Sequence, residues 1–417
     1  METIRLPKQF KPDRGIFDGP FGPWVRNALA NSRDVTADML VPTEADLRLI
    51  SKLAYNIDEL GTRMAEAIMK KGPLGGQLNK GLEQGLDSLQ DPPEVLAEFL
   101  RYYENLPDWS YKGEFDDFLA TEPTHSLSKP VPITFLADGY AMAVGFFVGA
   151  NYPAVGRSLV ATGSVGRGAS RMVESLKWVD ATRDLNNFFP NGPAIITSAK
   201  VRVAHGFARK MIERSGKWDK DYLGEIISDF DNMIFLAGLT LAEDTIPNLS
   251  KSQLRALRLV NKAIHYLLGA PKDLVTMTPQ ESKRFFMMVI AHLDDSPETA
   301  RQVVKNFQEN EYFRPTNTWS QKLSREGAFI TANLLTRLNW GNEMADNIGL
   351  QRKMYGLPMN SIAAFISDPP AAVKYVQPVA KKAFGYAIDI ASKLSKAKSA
   401  VSGDKKMETY SGSYGAF

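Results

Sequence analysis

The sequence contains no cysteine and only four histidines in 417 residues. Without thiols the chain cannot form disulfides, thiolate zinc sites, iron–sulfur clusters, thiolate-ligated haem or a cysteine nucleophile. Any metal chemistry must therefore depend on carboxylates and on the four histidines, which are His125, His205, His265 and His292.

Long hydrophobic runs are also scarce. The longest apolar stretch, residues 140–152, is shorter than the roughly 20 residues that cross a bilayer, so we predict a buried helix there. The first residues lack the apolar segment of a secretory signal, and we expect a cytoplasmic protein. The 50 Lys and Arg and the 47 Asp and Glu are interspersed along the chain, which predicts no nucleic-acid-binding surface.

Helix start signals are frequent, whereas the two-residue alternation of half-buried strands is nearly absent. Thr43-Glu-Ala-Asp46 resembles a capping box and precedes apolar residues at helical spacing, which predicts one helix from Thr43 to Lys71. Comparable starts follow Ser250, Thr278 and Ser296. We therefore predict an all-α fold, a large single domain of many helices.

Composition divides the chain into three parts. We predict an irregular N-terminal arm at 1–42, which contains five prolines and several aromatic residues that dock it on the domain. An all-α domain is predicted at 43–390. The tail at 391–417 carries five lysines and is predicted to be disordered, with at most weak peripheral contact with an anionic membrane.

Several familiar motifs are incomplete in this chain. The glycine-rich stretch 163–168 lacks the Lys-Ser/Thr of a phosphate-binding loop and follows no strand, which favours a turn between helices. Glu122-Pro-Thr-His125 is a single Glu-x-x-His that contains proline, whereas a di-iron bundle needs two on helices. His-Glu-x-x-His is absent, which argues against a zinc protease.

His205 lies in a segment suited to a flat cofactor. Ala204, Gly206 and Ala208 are small enough to let a ring system approach the backbone, and Arg209, one turn further on, is placed to meet a cofactor carboxylate. On residue type alone, a helical histidine is more often a hydrogen-bonded core residue. His265 and His292 favour structural roles, the latter as a positive charge at a helix C-terminus.

Seven short segments together resemble the haem oxygenase family that includes bacterial latex clearing protein (rubber oxygenase) and the fungal MpaB-type oxygenase. Each segment is short, and the specificity lies in their order and spacing, above all in Arg171, Ser175 and His205. The matching stretches are 106–109, 159–163, 171–175, 200–209, Trp218 with 224–231, 265–269 and 354–358.

This resemblance implies a globin-like helical core that holds a non-covalent b-type haem, with His205 as the proximal iron ligand. Arg171 matches a family arginine expected near the propionates or bound oxygen, and Ser175 stands where the family usually has threonine. Glu174 lies at the haem-facing position where latex clearing protein has a lysine that can cap the iron. Arg209 is expected to bind a haem carboxylate.

The resemblance implies a haem-dependent oxygenase that uses molecular oxygen on a small apolar substrate, such as an isoprenoid or an unsaturated lipid. Polyisoprene cleavage is less well supported, because rubber-cleaving members have a glutamate about four turns before the arginine and no carboxylate lies between Asp138 and Glu174. The alternatives are a non-catalytic haem or apolar-ligand binding protein of the same fold, and a purely structural helical protein.

Overall fold

The computed structural model describes most of the first 309 residues and part of the remainder of the chain. The described residues are 4–32, 34–70, 72–122, 148–163, 178, 181–182, 185–237, 250–309, 333, 336–337, 340–350, 353–354 and 357–358. Within them the all-α prediction is confirmed. The only strands in this part are Lys353–Met354 and Leu357–Pro358, two residues each, paired antiparallel.

The helices are numbered in chain order. They are α1 (Gly22–Asn31), α2 (Glu44–Ala54), α3 (Glu59–Lys70), α4 (Leu74–Gln84), α5 (Glu94–Glu104), α6 (Lys112–Thr121), α7 (Pro153–Ala161), α8 (Pro193–Ser215), α9 (Lys220–Leu223), α10 (Asp229–Ala237), α11 (Lys251–Leu267), α12 (Lys272–Val275), α13 (Pro279–His292) and α14 (Pro297–Glu309). Single 3-10 turns lie at Ala37–Leu40, Leu86–Ser88, Gly149–Asn151 and Leu185–Phe188.

The predicted helix starts are confirmed by their caps. The side chains of Thr43, Ser250 and Thr278 each accept a hydrogen bond from the backbone N–H three residues later. In all three capping boxes the side chain of that later residue accepts from the backbone N–H of the cap in return, so two otherwise unpaired donors are satisfied. The helix expected after Ser296 is α14, which begins at Pro297.

The single helix expected from Thr43 to Lys71 is wrong, because the chain breaks between α2 and α3. The side chain of Asp58 accepts from the backbone N–H of Gly61 at 3.0 Å and so starts a new helix. Asp competes well for backbone donors at such positions, and the apolar spacing continued across the break, so periodicity alone missed it. The break places Asp58 inside the protein.

The N-terminal arm docks as expected, but part of it is helical rather than irregular. Helix α1 begins with Pro23 in its first turn, where a missing N–H costs nothing. Trp24 is buried and stacks on Trp340 with ring centroids 4.4 Å apart. Phe10 forms a β-bridge with Leu293 at the end of α13. The arm thus contributes to the core, and the boundary after residue 42 stays a prediction.

Two helices organise the interior. Residues 285–291 of α13 are all at most 1% exposed, so the phenylalanines and methionines of that helix belong to the core. Helix α8 packs along the length of α3 and also touches α4, α7 and α11. None of the helices in the described ranges is long and apolar enough to cross a membrane. Most of the apolar stretch 140–152 and all of the tail lie outside those ranges.

Candidate functional site

Helix α8 carries His205 and is the longest helix in the described residues, at 23 residues. Pro193 occupies its first turn, and Gly216 ends it in the left-handed conformation at φ 62°, which a residue with a Cβ rarely adopts. These two residues set the ends of the helix. The residues between them are divided between a side that faces α3 and a side that faces away from it.

The side facing α3 is closed by Gly206. A Cβ on Gly206 would lie 2.6 Å from the carbonyl oxygen of Gly61 and 2.7 Å from the Cβ of Ala65. Such short distances mean that the two backbones approach as closely as a glycine permits. Gly206 therefore serves helix packing, and the expectation that it gives a flat cofactor access to the backbone is wrong.

One turn before Gly206, Arg202 forms a buried ion pair with Asp58. Its Nε and Nη2 donate to the two carboxylate oxygens at 2.7 and 2.8 Å. The guanidinium also lies 4.1 Å from the ring centroid of Tyr102. Burial alone would raise the pKa of Asp58, but the charge and hydrogen bonds of Arg202 hold it below its usual value.

The space for Arg202 is provided by Gly269, at the end of α11. With a φ of +81°, Gly269 lies so close that a Cβ there would be 2.5 Å from Nε of Arg202. Tyr102 and Tyr266 stack with centroids 4.8 Å apart and exchange hydrogen bonds between each hydroxyl and the other's backbone carbonyl. Sequence reasoning missed this cluster, because no motif links Asp58, Tyr102 and Arg202.

Arg209 lies on the same side, 2% exposed. Its Nε and Nη2 donate to the carbonyls of Ile226 and Ile227, at 2.7 Å for the shortest bond, and its Nη1 donates to the hydroxyl of Thr62 at 3.0 Å. Protein oxygens thus accept from all three nitrogens of the guanidinium. Its assignment to a haem carboxylate stays a prediction that these contacts do not support.

His205 lies at the border of the two sides of α8. The residues three before and four after it are Arg202 and Arg209, which face α3, while the residues four before and three after it are Val201 and Ala208. The side opposite Gly206 is lined by small residues, with Ala204 and Ala208 each 5% exposed. His205 itself is half-buried.

Trp178 contacts the face of α8 on which His205 lies. Its indole N–H donates to the hydroxyl of Ser198 at 2.9 Å, and Ser198 lies two turns before His205, about 10 Å along the helix axis. Trp178 follows Ser175 by three residues. Arg171, Glu174 and Ser175 lie outside the described residues, so the structure leaves their proposed roles as predictions.

Two of the other histidines are buried and bond to the backbone of their own helices. In His265 and His292, Nδ1 bonds to the backbone carbonyl four residues earlier, at 2.8 and 2.7 Å, which indicates that this nitrogen carries the proton because a carbonyl can only accept. Burial lowers the pKa of His265 to about 4 and also lowers that of His292. The positive charge expected on His292 is therefore disfavoured, although it does bond to the last turn of its helix.

Within the described ranges, no group of three His, Asp or Glu side chains is arranged to hold a metal ion. A single imidazole that ligates an iron already held by a porphyrin needs no such group, because the macrocycle supplies four of the ligands. His125, the fourth histidine, lies outside the described residues.

Comparison with known proteins relates the chain to one known fold. No family model matches the sequence, and no curated protein matches it. Among solved structures, latex clearing protein in the closed state is similar at 17% sequence identity with a TM-score of 0.55, over 79% of this chain and 90% of that one. The chain therefore shares the fold of latex clearing protein. The likeness does not distinguish the MpaB-type part of the sequence resemblance, which stays a prediction.

Proposed function

We propose that the protein is a cytoplasmic b-type haem-dependent oxygenase that acts with molecular oxygen on a small apolar substrate. The observation that carries this proposal is the position of His205, half-buried on the border of the longest described helix, in a chain with the fold of latex clearing protein. The two residues on the adjoining face, Ala204 and Ala208, are small and apolar, each 5% exposed. The residues present thus fit a haem with one protein ligand.

In this proposal His205 holds the cofactor through its imidazole, and the alanines on the adjoining side exclude water from the ring. Arg171 binds a propionate or orients oxygen, and Ser175 donates a hydrogen bond into the same pocket, since one helical turn separates them. Haem, when bound, supplies the activation of oxygen. The substrate class, an isoprenoid or another unsaturated lipid, follows from the sequence resemblance.

The proposal is tested first by the absorption spectrum of the purified full-length protein. We expect a Soret band in the wild type and its loss in His205→Ala. The matched controls are His265→Asn and His292→Asn, in which the amide N–H stands near the position of Nδ1 and can replace the bond to the backbone carbonyl, and both should keep the band. A wild-type chain that stays colourless after haem supplementation would exclude the haem site.

A second experiment separates an oxygenase from a haem carrier of the same fold. The reduced, haem-loaded protein is exposed to oxygen with short isoprenoids and unsaturated fatty acids, and carbonyl products are sought by mass spectrometry. Oxygenated products that depend on His205 support the oxygenase. A haem-loaded protein that yields no product from any of these substrates favours the carrier.

A further inference from the structure

A buried group of charges extends from the α3–α8 contact to the start of α10. It contains the carboxyl groups of Asp58, Asp229 and Asp231 and the guanidiniums of Arg202 and Arg209, and none of the five residues is more than 6% exposed. Arg202 is committed to Asp58 through two hydrogen bonds. Within this group one cation, Arg209, therefore remains for two carboxyl groups, Asp229 and Asp231.

Arg209 directs its hydrogen bonds to groups other than these two carboxyls. Its N–H groups go to the carbonyls of Ile226, Ile227 and Asp58 and to the hydroxyl of Thr62. It acts on Asp229 and Asp231 through space. With both ionised, the buried group would carry one uncompensated negative charge, which is costly where water is excluded.

In each of the two carboxyl groups, only one of the two oxygens accepts a hydrogen bond from the described residues. Oδ2 of Asp229 accepts from the amide of Asn56, and Oδ2 of Asp231 accepts from the backbone N–H and the hydroxyl of Ser228, at 2.9 and 3.1 Å. Oδ1 of each is buried without a hydrogen-bond partner among the described residues. An ionised carboxylate leaves about half of its charge on such an oxygen without a donor, which costs more than burying the same oxygen in a neutral carboxyl group.

The ion pairs on the helices packed against α10 involve other carboxylates, as far as the chain is described. Those on α2, α11 and α13 are Asp46 with Arg284, Arg48 with Glu44, Lys52 with Asp273, Lys262 with Glu114, Arg255 with Asp117, and Lys283 with Asp34. His265 and His292 are both disfavoured as cations by burial. Tyr55, which follows α2, is neutral because burial raises the pKa of its hydroxyl.

We propose that Asp229 and Asp231 together hold one exchangeable proton near neutral pH. We propose further that this proton keeps the loop before α10, residues 224–228, hydrogen-bonded to Arg209. The proposal concerns the protein without cofactor and goes beyond the proposed oxygenase function. Its consequence for that function is positional, since Arg209 lies one turn from His205 on α8.

The electrostatics of the two groups agree with this geometry. Burial raises the pKa of Asp231 to about 7 and that of Asp229 to about 6, against the hydrogen bonds from Ser228 and Asn56 and the charge of Arg209. The negative charge of Asp229 is one of the causes of the raised pKa of Asp231. Between pH 6 and 7 the pair therefore holds about one proton.

The loop that the proton stabilises is strained and depends on its contacts. Ile227 has a φ of +49°, a region that a β-branched residue rarely adopts, and its carbonyl accepts from Nη2 of Arg209 at 2.7 Å. Glu225 N–H donates to the carbonyl of Ala54 at 2.8 Å. A second negative charge beside Arg209 attracts the guanidinium away from these carbonyls, so loss of the proton loosens the loop.

The pH dependence of stability tests the proton. Because the folded carboxyl groups bind a proton more tightly than the unfolded ones, unfolding releases it, and stability falls as the pH rises from about 4 to about 7. Asp231→Asn mimics the protonated acid, so the variant should lack up to one proton of this release. Its folding equilibrium should then change up to about tenfold less per pH unit than that of the wild type.

The matched control is Asp116→Asn, which removes an exposed carboxyl paired with Lys112 and should leave the slope unchanged. An Asp231→Asn protein with the wild-type slope would overturn the proposal. Infrared difference spectra give an independent readout. A protonated carboxyl band that is present at pH 6, disappears at pH 9 and is missing in Asp231→Asn supports the proposal, whereas no band at pH 6, or one that persists in Asp231→Asn, overturns it, since burial also raises the pKa of Asp295.

Hydrogen exchange tests the clamp. After correction for intrinsic rates, the backbone amides at 227–231 should be protected at pH 6 and less protected at pH 8 in the wild type, and equally protected at both in Asp231→Asn. Equal protection of this segment at the two pH values in the wild type would show that the proton does not hold the loop.

Discussion

The two sides of helix α8 carry different kinds of side chain. Toward α3 the helix presents Gly206 and two buried arginines, each bonded to protein oxygens, while away from α3 it presents alanines and the half-buried His205. The first side is closed by backbone contact and charge, and the second is lined by small side chains. This contrast indicates that the α3 side fixes the position of the helix through backbone contact and charge, whereas the other side packs through small side chains that are also buried.

The buried charges on the side of α8 that faces α3 fix the rotation of the helix more firmly than apolar contacts do. A bidentate pair such as Arg202–Asp58 constrains both distance and angle, whereas alanines tolerate rotation of the helix. Since Arg202 and Arg209 are three residues before and four residues after His205, holding them also holds the direction of the imidazole.

The largest effect is expected from breaking the ion pair. Asp58→Asn leaves the guanidinium of Arg202 buried without a counter-charge, and we expect a loss of about 3–5 kcal/mol in the free energy of unfolding, measured by urea denaturation. Arg202→Met combined with Asp58→Asn should recover part of the loss, because no buried charge is then left alone. A single-variant loss below about 1 kcal/mol would mean that the closed side does not depend on this pair.

A smaller loss in the free energy of unfolding is expected from adding a methyl group where α8 contacts α3. Gly206→Ala forces the α3 and α8 backbones apart and should cost about 1–3 kcal/mol despite the better helix propensity of alanine. The control is Gly113→Ala in the exposed first turn of α6, where a Cβ meets nothing within 4 Å, and it should stabilise by about 0.4–1 kcal/mol. Equal signs for the two variants would contradict the packing role of Gly206.

The smallest effect on stability is expected at His205. His205→Ala, in the protein without cofactor, should change the free energy of unfolding by about 1 kcal/mol or less, because the side chain is half-buried. The same variant should lose the Soret band. A loss comparable to that of Asp58→Asn would make His205 a core residue and would remove the contrast between the two sides.

Short-range sequence patterns predicted much of the fold. Capping boxes at Thr43, Ser250 and Thr278 marked helix starts correctly, because a cap involves residues only three apart. The break between α2 and α3 was missed, since apolar spacing continued across it. The helix at Gly22–Asn31 was missed because prolines and glycines around it indicated irregular chain, although Pro23 is compatible with a first turn.

The sequence by itself determined the all-α class and the restriction of metal chemistry to carboxylates and four histidines, and its family resemblance predicts His205 as the ligand. Only the tertiary structure decided that Gly206 faces α3, that Arg209 bonds to the carbonyls before α10, and that Asp58 meets Arg202 across 144 residues. The reason is physical. Caps and periodicity are short-range properties of the chain, whereas which face of a helix is buried, and which charges meet there, depends on how distant segments pack.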